Sequence, residues 1–185
     1  MRPLDPVKRE KILTAAIEIF VGKGYHATTT LAISQRADMS SSTMYTYFKD
    51  KEDLLVQAVL RMKDEHTAMS TELAGKCAGL DDGQFVELFY EAQATIYHRV
   101  RFIMSCMLNP DLTALFEGID FDFSEVFIPF LQGWAGDATA YIARLLTTTA
   151  LGYFVTGDIE GAKAASVNIL SNARANKATQ GGITQ

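Results

Sequence analysis

The sequence predicts an all-α protein, on three observations. Helix N-caps are written at Asp5, Ser40 and Asp50; apolar residues recur three and four apart through the long segments; and Gly22, Gly24, Gly75, Asn109-Pro110 and Gly157 fall where those segments should stop. The layout these signals describe is a three-helix head followed by a larger helical body.

Asp5-Pro6 sets an N-cap before a proline at the first helical position and opens a helix over 7–21, with Ile12, Ala15, Ala16, Ile19 and Phe20 as its apolar stripe. Lys8, Arg9 and Lys11 lie near its outer start, where solvated charge is the ordinary assignment. The Thr28-Thr29-Thr30 run opens a short helix over 30–37, since a threonine hydroxyl can accept from an unpaired amide of the first turn. The chain then turns at Asp38-Met39. Ser40 caps a second short helix over 41–47, whose outward positions carry Ser41, Ser42, Thr43, Tyr45 and Tyr47, while Ile33, Ala37, Met39, Met44 and Phe48 are spaced to hold the two helices at an angle. This is a helix-turn-helix. Asp50, with Asp53 three residues on, caps a helix over 51–73, long for a globular protein, with Leu54, Leu55, Ala58, Val59 and Met62 inward.

The body continues with a helix over 85–108, its buried side written by Phe85, Leu88, Phe89, Ala92, Ile96, Val100, Ile103, Met104 and Met107, and a short one over 111–117. Phe121, Phe123, Phe127, Phe130 and Trp134 then crowd together around Pro129, and helical spacing favours one irregular aromatic-faced helix. Aromatics so spaced are core more often than pocket wall. Polar groups on neighbouring helices, Tyr90, Gln93, Tyr97, His98 and Asn109, with Met104 and Met107 as adaptable wall, raise the pocket alternative. Glu87, Glu91, Asp120 and Asp122 leave room for a cationic ligand, although carboxylates of this kind are usually solvated. Helices over 137–154 and 159–175 form the last pair. Ala138, Tyr141, Ile142, Leu145, Thr149 and Gly152 line one, and Ala162, Ala165, Ile169 and Ala173 the other, so the pair can close its own core or meet a second copy as a four-helix bundle. The tail over 176–185 has too little apolar content to order itself.

Composition bounds the function. A chain of 185 residues, 48% hydrophobic, can bury a full core. No apolar run approaches the roughly 20 residues that cross a bilayer, and the basic start lacks an apolar signal core, so a cytoplasmic protein away from membranes is expected. Cys77 and Cys106 lack ligand or redox spacing and read as two reduced thiols. Charge is uneven: residues 1–51 carry eight Lys or Arg against five Asp or Glu, a net of +3, and the remainder carries −8 of the total −5. A basic end on an acidic body can orient on a polyanion.

The residues Arg9, Ile12, Leu13, Ala15, Ala16, Phe20, Gly24, Tyr25, Thr28, Thr29, Ile33, Ala37, Ser40, Thr43, Tyr45, Tyr47, Phe48, Lys51, Glu52 and Leu54 together resemble the amino-terminal domain of the TetR (tetracycline-repressor) family. The resemblance covers about a quarter of the chain without a gap. Ser34, Asp38 and Ser42 depart from it, standing where Ala, Gly and Gly are usual; Asp38 matters most, because the turn can require a left-handed backbone. The resemblance implies a DNA-binding domain over 1–51 (helix-turn-helix about 29–48), a ligand-binding and dimerisation domain over 52–175, and a homodimer on a near-palindromic double-stranded operator, released by a small-molecule effector. Thr29, Ser40, Tyr47 and Lys51 are expected to hold phosphates, and Ser41, Ser42, Thr43 and Tyr45 to meet base edges. Tyr90, Gln93, Tyr97, Met104, Met107, Phe127, Phe130 and Trp134 are the candidate ligand contacts. Tyr141, Leu145, Thr149, Gly152, Ala162, Ala165, Ile169 and Ala173 are the candidate dimer contacts. Neither cofactor nor metal is expected. His26, His66 and His98 lack metal spacing, and no nucleophile arrangement or phosphate-cradling loop supports an enzyme. The competing reading is a helical small-molecule carrier or interaction protein whose head has lost DNA binding.

Overall fold

The computed structural model describes residues 4–77, 79–119, 124, 128, 131 and 139–181. Among them every regular element is helical: α1 Pro6–Lys23, α2 Thr30–Arg36, α3 Ser41–Tyr47, α4 Lys51–Lys76, α5 Asp82–Met107, a 3₁₀ turn Thr113–Phe116, α6 Thr139–Thr156 and α7 Ile159–Gly181. The chain divides into two compact units, one of residues 1–65 and 98–120 and the other of residues 66–97 and 121–185.

The first unit is built on the caps read from sequence. Asp5 accepts from the Val7 amide at 2.9 Å, and Gly24 closes α1 with its amide on the Phe20 carbonyl, at a φ of 80° that favours glycine. Asp50 accepts from the Asp53 amide at 2.8 Å while Asp53 accepts from Lys49 at 2.9 Å, so the start of α4 is tied from both sides. Ile12, Ala16 and Phe20 of α1, Ile33 of α2, Met44 of α3, Phe48, and Leu54, Leu55, Ala58 and Val59 of α4 are each no more than 2% exposed. Each large member of that set contributes roughly 1.5–3 kcal/mol. Polar clamps then lock α1 to α4. Arg9 donates to Gln57 at 2.8 Å with its guanidinium over the Phe48 ring, and Arg61 reaches Glu10 at 2.6 Å and Thr14 at 3.1 Å. The Arg9 charge, read from sequence as solvated, is therefore architectural.

The second unit centres on Leu73 of α4, Cys77 just past its end, Phe85, Phe89 and Tyr90 of α5, Leu131, then Ile142, Leu146 and Ala150 of α6, and Leu170 and Ala173 of α7. Two sequence expectations change here. The inward side of α5 is turned toward Val86, Tyr90 and Gln93, while Leu88 and Ala92 are half-buried; the Tyr90 hydroxyl finds Ser166 at 3.1 Å, which makes burial of that polar edge tolerable. α7 also continues past Ala175, where the tail was expected to lose order. The residues there, Asn176 to Gln180, include Ala and Lys, good helix formers, and extending a formed helix needs only one more hydrogen bond per residue. Phe121, Phe123, Phe127, Phe130, Trp134 and Ala138 lie outside the described residues.

Both thiols are buried, and burial holds them protonated, pushing Cys106 up to about 11. His66 of α4 is 4% exposed, and desolvation pushes its imidazole from 6.5 down to about 4. The folded state thus resists a proton that the unfolded chain accepts. Stability is complete above pH 6.5, falls as pH drops toward 4, and loses no more from this group below it. Denaturant unfolding at pH 4.5 against pH 7 should show a loss of about 2–3 kcal/mol from this group, and His66→Leu should remove that component of the pH dependence.

Candidate nucleic-acid interface

The site is the α2-turn-α3 segment, and its geometry starts at the turn. α2 ends with the Met39 amide on the Ser34 carbonyl at 2.9 Å and the Asp38 amide on the Gln35 carbonyl at 3.1 Å. These are the paired bonds of a Schellman motif, and Asp38 takes its left-handed position at φ 56°. Among the described residues Asp38 is alone among non-glycines in having positive φ. The conformation expected from sequence is present, held by aspartate where glycine costs least.

Ser40 caps α3 by accepting from the Thr43 amide at 3.1 Å, and its hydroxyl also meets Ser42 at 2.9 Å and Thr43 at 2.8 Å. Thr29 caps α2 through the Ala32 amide at 3.2 Å. Two hydroxyl pairs cross between the helices: Ser34 with Ser41, and Thr30 with Tyr45, each at 3.1 Å. Ser34, one of the departures from the TetR pattern, thereby helps set the position of α3.

The outer face of α3 is turned slightly from the sequence expectation. Ser42, Tyr45 and Thr46 are its exposed positions, with Tyr45 half exposed, while Ser41, Thr43 and Tyr47 are half-buried. Thr46 was missed, although it stands three and four residues from Thr43 and Ser42, the spacing that defines one helical face. Its hydroxyl donates to the Ser42 carbonyl at 3.0 Å, leaving the methyl as an apolar contact. Tyr47 accepts from the Asp5 amide at 3.3 Å, and the Lys51 ammonium lies 4.1 Å from the centre of the Tyr25 ring. Desolvation lowers the Lys51 pKa. Partly stripped of water and set in the first turn of α4, this cation suits an anionic oxygen.

The other candidate residues divide between the two units. Tyr90, Gln93 and Tyr97 belong to the second, Met104 and Met107 to the first. Tyr90 and Gln93 are buried, and Tyr97, Met104 and Met107 half-buried. On α6, Tyr141 is 66% exposed, Gly152 is exposed, and Leu145 and Thr149 are half-buried, a stripe flanking the core residues Ile142, Leu146 and Ala150. On α7, Ala165 is exposed, whereas Ala162, Ile169 and Ala173 pack in or against the unit's own core. Among the described residues no three or more His, Cys, Asp or Glu side chains are grouped to hold a metal, and no helix is long and apolar enough to cross a membrane.

Relief of the left-handed strain is measurable. Asp38→Gly should raise stability by about 0.5–1 kcal/mol and Asp38→Val lower it by about 1–2 kcal/mol in urea unfolding.

Residues 12–58 match the family described as bacterial regulatory proteins, tetR family. Over 59 residues the chain is 36% identical to the HTH-type transcriptional regulator HbdR of Aromatoleum sp., a match covering 32% of this chain and about a quarter (26%) of that relative. A longer match, 29% identical over 171 residues, covers 82% of this chain and 81% of the HTH-type transcriptional regulator UidR of Escherichia coli. The fold is also similar to the crystal structure of the multidrug binding protein EbrR complexed with imidazole, with a TM-score of 0.65 and 18% identity over 90% of this chain and 96% of that one. The capped helix pair, its Schellman turn and its hydroxyl-bearing outer face thus occur within residues 12–58, the segment that matches the tetR family of bacterial regulatory proteins.

Proposed function

We propose that the protein is a ligand-responsive transcriptional repressor that binds a near-palindromic operator as a homodimer and releases it when a small molecule binds the body. The observation that carries this reading is α3: a short rod, capped at Ser40, whose exposed side presents Ser42, Tyr45 and Thr46 without a long charged side chain to hold it off a groove. In this reading residues 1–51 are the DNA-binding domain and residues 52–175 bind effector and partner. Thr29, Ser40, Tyr47 and Lys51 take phosphates; Ser41, Ser42, Thr43 and Tyr45, joined by Thr46, meet base edges. Since the Tyr45 and Ser41 hydroxyls are already paired with Thr30 and Ser34, base contact either shares or exchanges those bonds. The shared bonds limit the rotamers that α3 brings to the groove.

The stripe Tyr141, Leu145, Thr149 and Gly152, exposed at its two ends and half-buried between, and the exposed Ala165 on α7 support the dimer. Small residues at Gly152 and Ala165 let a second copy approach closely. Two copies of α3 would then meet successive major grooves about 34 Å apart. α4 begins beside the reading helix at Lys51 and continues into the second unit, so an effector that prefers one tilt of α4 by about 1–3 kcal/mol is sufficient to weaken operator binding several-fold or more. UidR and HbdR are named as transcriptional regulators and EbrR as a multidrug binding protein, which favours a regulator with an effector over an enzyme or a carrier.

Selection of bound fragments from genomic DNA tests the reading. The selected duplex should be held by a dimer, with affinity falling as salt rises; a protein that stays monomeric and ignores every duplex overturns it. In the same assay Thr43→Ala with Tyr45→Ala should cost at least about tenfold in selective binding, roughly 1–3 kcal/mol per lost base contact, and leave the dimer intact.

A further inference from the structure

The inward stripe of α4 changes character along its length. Leu73 belongs to the apolar core of the second unit, as does Cys77 just past the helix end, but on the same stripe, one turn and two turns before Leu73, stand Ser70 and His66. These two are 0% and 4% exposed, and a spacing of four places them side by side. The register against α5 is given by the Thr95 hydroxyl, 3.6 Å from the Met69 sulfur. That register brings Gln93, 7% exposed, level with Ser70.

Hydroxyls elsewhere on these helices are satisfied within the helix. Thr71 donates to the Thr67 carbonyl, Thr147 to Ala143, Thr149 to Leu145 and Ser105 to Phe102. Ser70 is different: its hydroxyl is fully enclosed and has no hydrogen-bond partner among the described residues. An enclosed hydroxyl left so costs about 1–3 kcal/mol, and alanine would fill the same space without that penalty. Packing alone gives no reason for serine at this position.

Among the described residues the charges on α4 and α5 near these groups are exposed or already paired, Glu65 by Arg61 and Arg99. Asp64 and Glu91 are exposed, Glu72 and Lys76 are exposed and paired at 2.6 Å, and Glu87 is engaged by Lys163. Among the described residues of α4 and α5 in this unit, the buried polar side chains are therefore a neutral imidazole, a hydroxyl and an amide, beside the Tyr90 hydroxyl already held by Ser166. A charged guest seated on them would lose its water without gaining an opposite charge, whereas a neutral guest needs only a hydrogen bond.

We infer that His66, Ser70 and Gln93 are the polar contact surface for the effector, and that the effector is an uncharged, largely apolar molecule presenting an acceptor to the Ser70 hydroxyl. This rests on the proposal that the body binds a small molecule, and it departs from the cationic ligand that the acidic residues suggested. Because the contact lies on α4 itself, occupancy acts directly on the helix that begins at Lys51.

Three probes of one shape test the charge: naphthalene carboxamide, naphthalene carboxylate and naphthylmethylammonium, titrated into the full chain and followed by their own fluorescence. The carboxamide should bind with a Kd at least ~10-fold below either charged probe, and both Ser70→Ala and Ser70→Val should weaken it about tenfold. Ser70→Ala removes the hydroxyl without adding bulk, so the test survives if the valine variant does not fold. Equal or tighter binding of a charged probe, no binding of any probe, or an unchanged carboxamide Kd in Ser70→Ala overturns the inference. Operator binding measured in the same preparations without probe keeps the two readings apart. Loss there defeats the DNA-binding proposal alone, and a failed probe series with intact operator binding defeats the effector assignment alone.

Discussion

The head depends on how one seven-residue helix is stopped. The two hydrogen bonds that close α2 onto Ser34 and Gln35 force the next residue into a left-handed backbone, and that single reversal sets the direction in which α3 leaves. Ile33, Met44 and Phe48 can then share one buried core, and Ser42, Tyr45 and Thr46 point away from it. Neither short helix would persist in isolation, because helices of this length do not recover the cost of nucleation in water. The turn and the apolar core stabilise each other: without the reversal the apolar faces do not meet, and without their burial the strained residue has nothing to hold it.

Around that turn the hydroxyl groups form a connected set. Ser40 caps α3 and bonds its neighbours, and Ser34 and Thr30 reach across to Ser41 and Tyr45. Such bonds are individually worth about 0.5–1.5 kcal/mol, too little to define the fold, but enough to bias side-chain rotamers before any partner arrives. In the proposed reading positioning and recognition fall to the same residues, and serine at position 34 is more than a tolerated replacement for alanine. It supplies the bond that fastens the start of α3.

Most of the local structure was legible in the sequence, because caps and periodicity are local signals. Asp5, Thr29, Ser40 and Asp50 cap the helices that their positions announce, and α3 has the predicted bounds. What the sequence concealed is set by contacts distant along the chain. The rotation of α5 toward Tyr90 and Gln93 depends on Ser166, 76 residues away, and Arg9 is drawn inward by Phe48 and Gln57. The candidate interface was legible as residue types but not in its rotation: Thr46 shares a face with Ser42 and Tyr45, and half-burial of Ser41 and Thr43 follows from packing that periodicity over seven residues resolves poorly. Gln93 is legible as a polar group on a long helix, whereas Ser70 and His66 are hidden in an otherwise ordinary apolar stripe.

The cations of the head differ in how they are held, Lys49 by Asp50 and Lys51 over the Tyr25 ring. Arg9, Arg36 and Arg61 are each bound to other side chains, fastening helices to one another, whereas Lys8, Lys11 and Lys23 form no ion pair among the described residues. Guanidinium forks suit fixed geometry, and ammonium groups on four-carbon stems suit a diffuse, movable positive field. In the proposed reading, the part of the head's electrostatic pull that Lys8, Lys11 and Lys23 supply therefore carries no architectural duty. Natural variation can tune how strongly the molecule lingers on arbitrary polyanions, one lysine at a time, while the scaffold that aims α3 is left untouched.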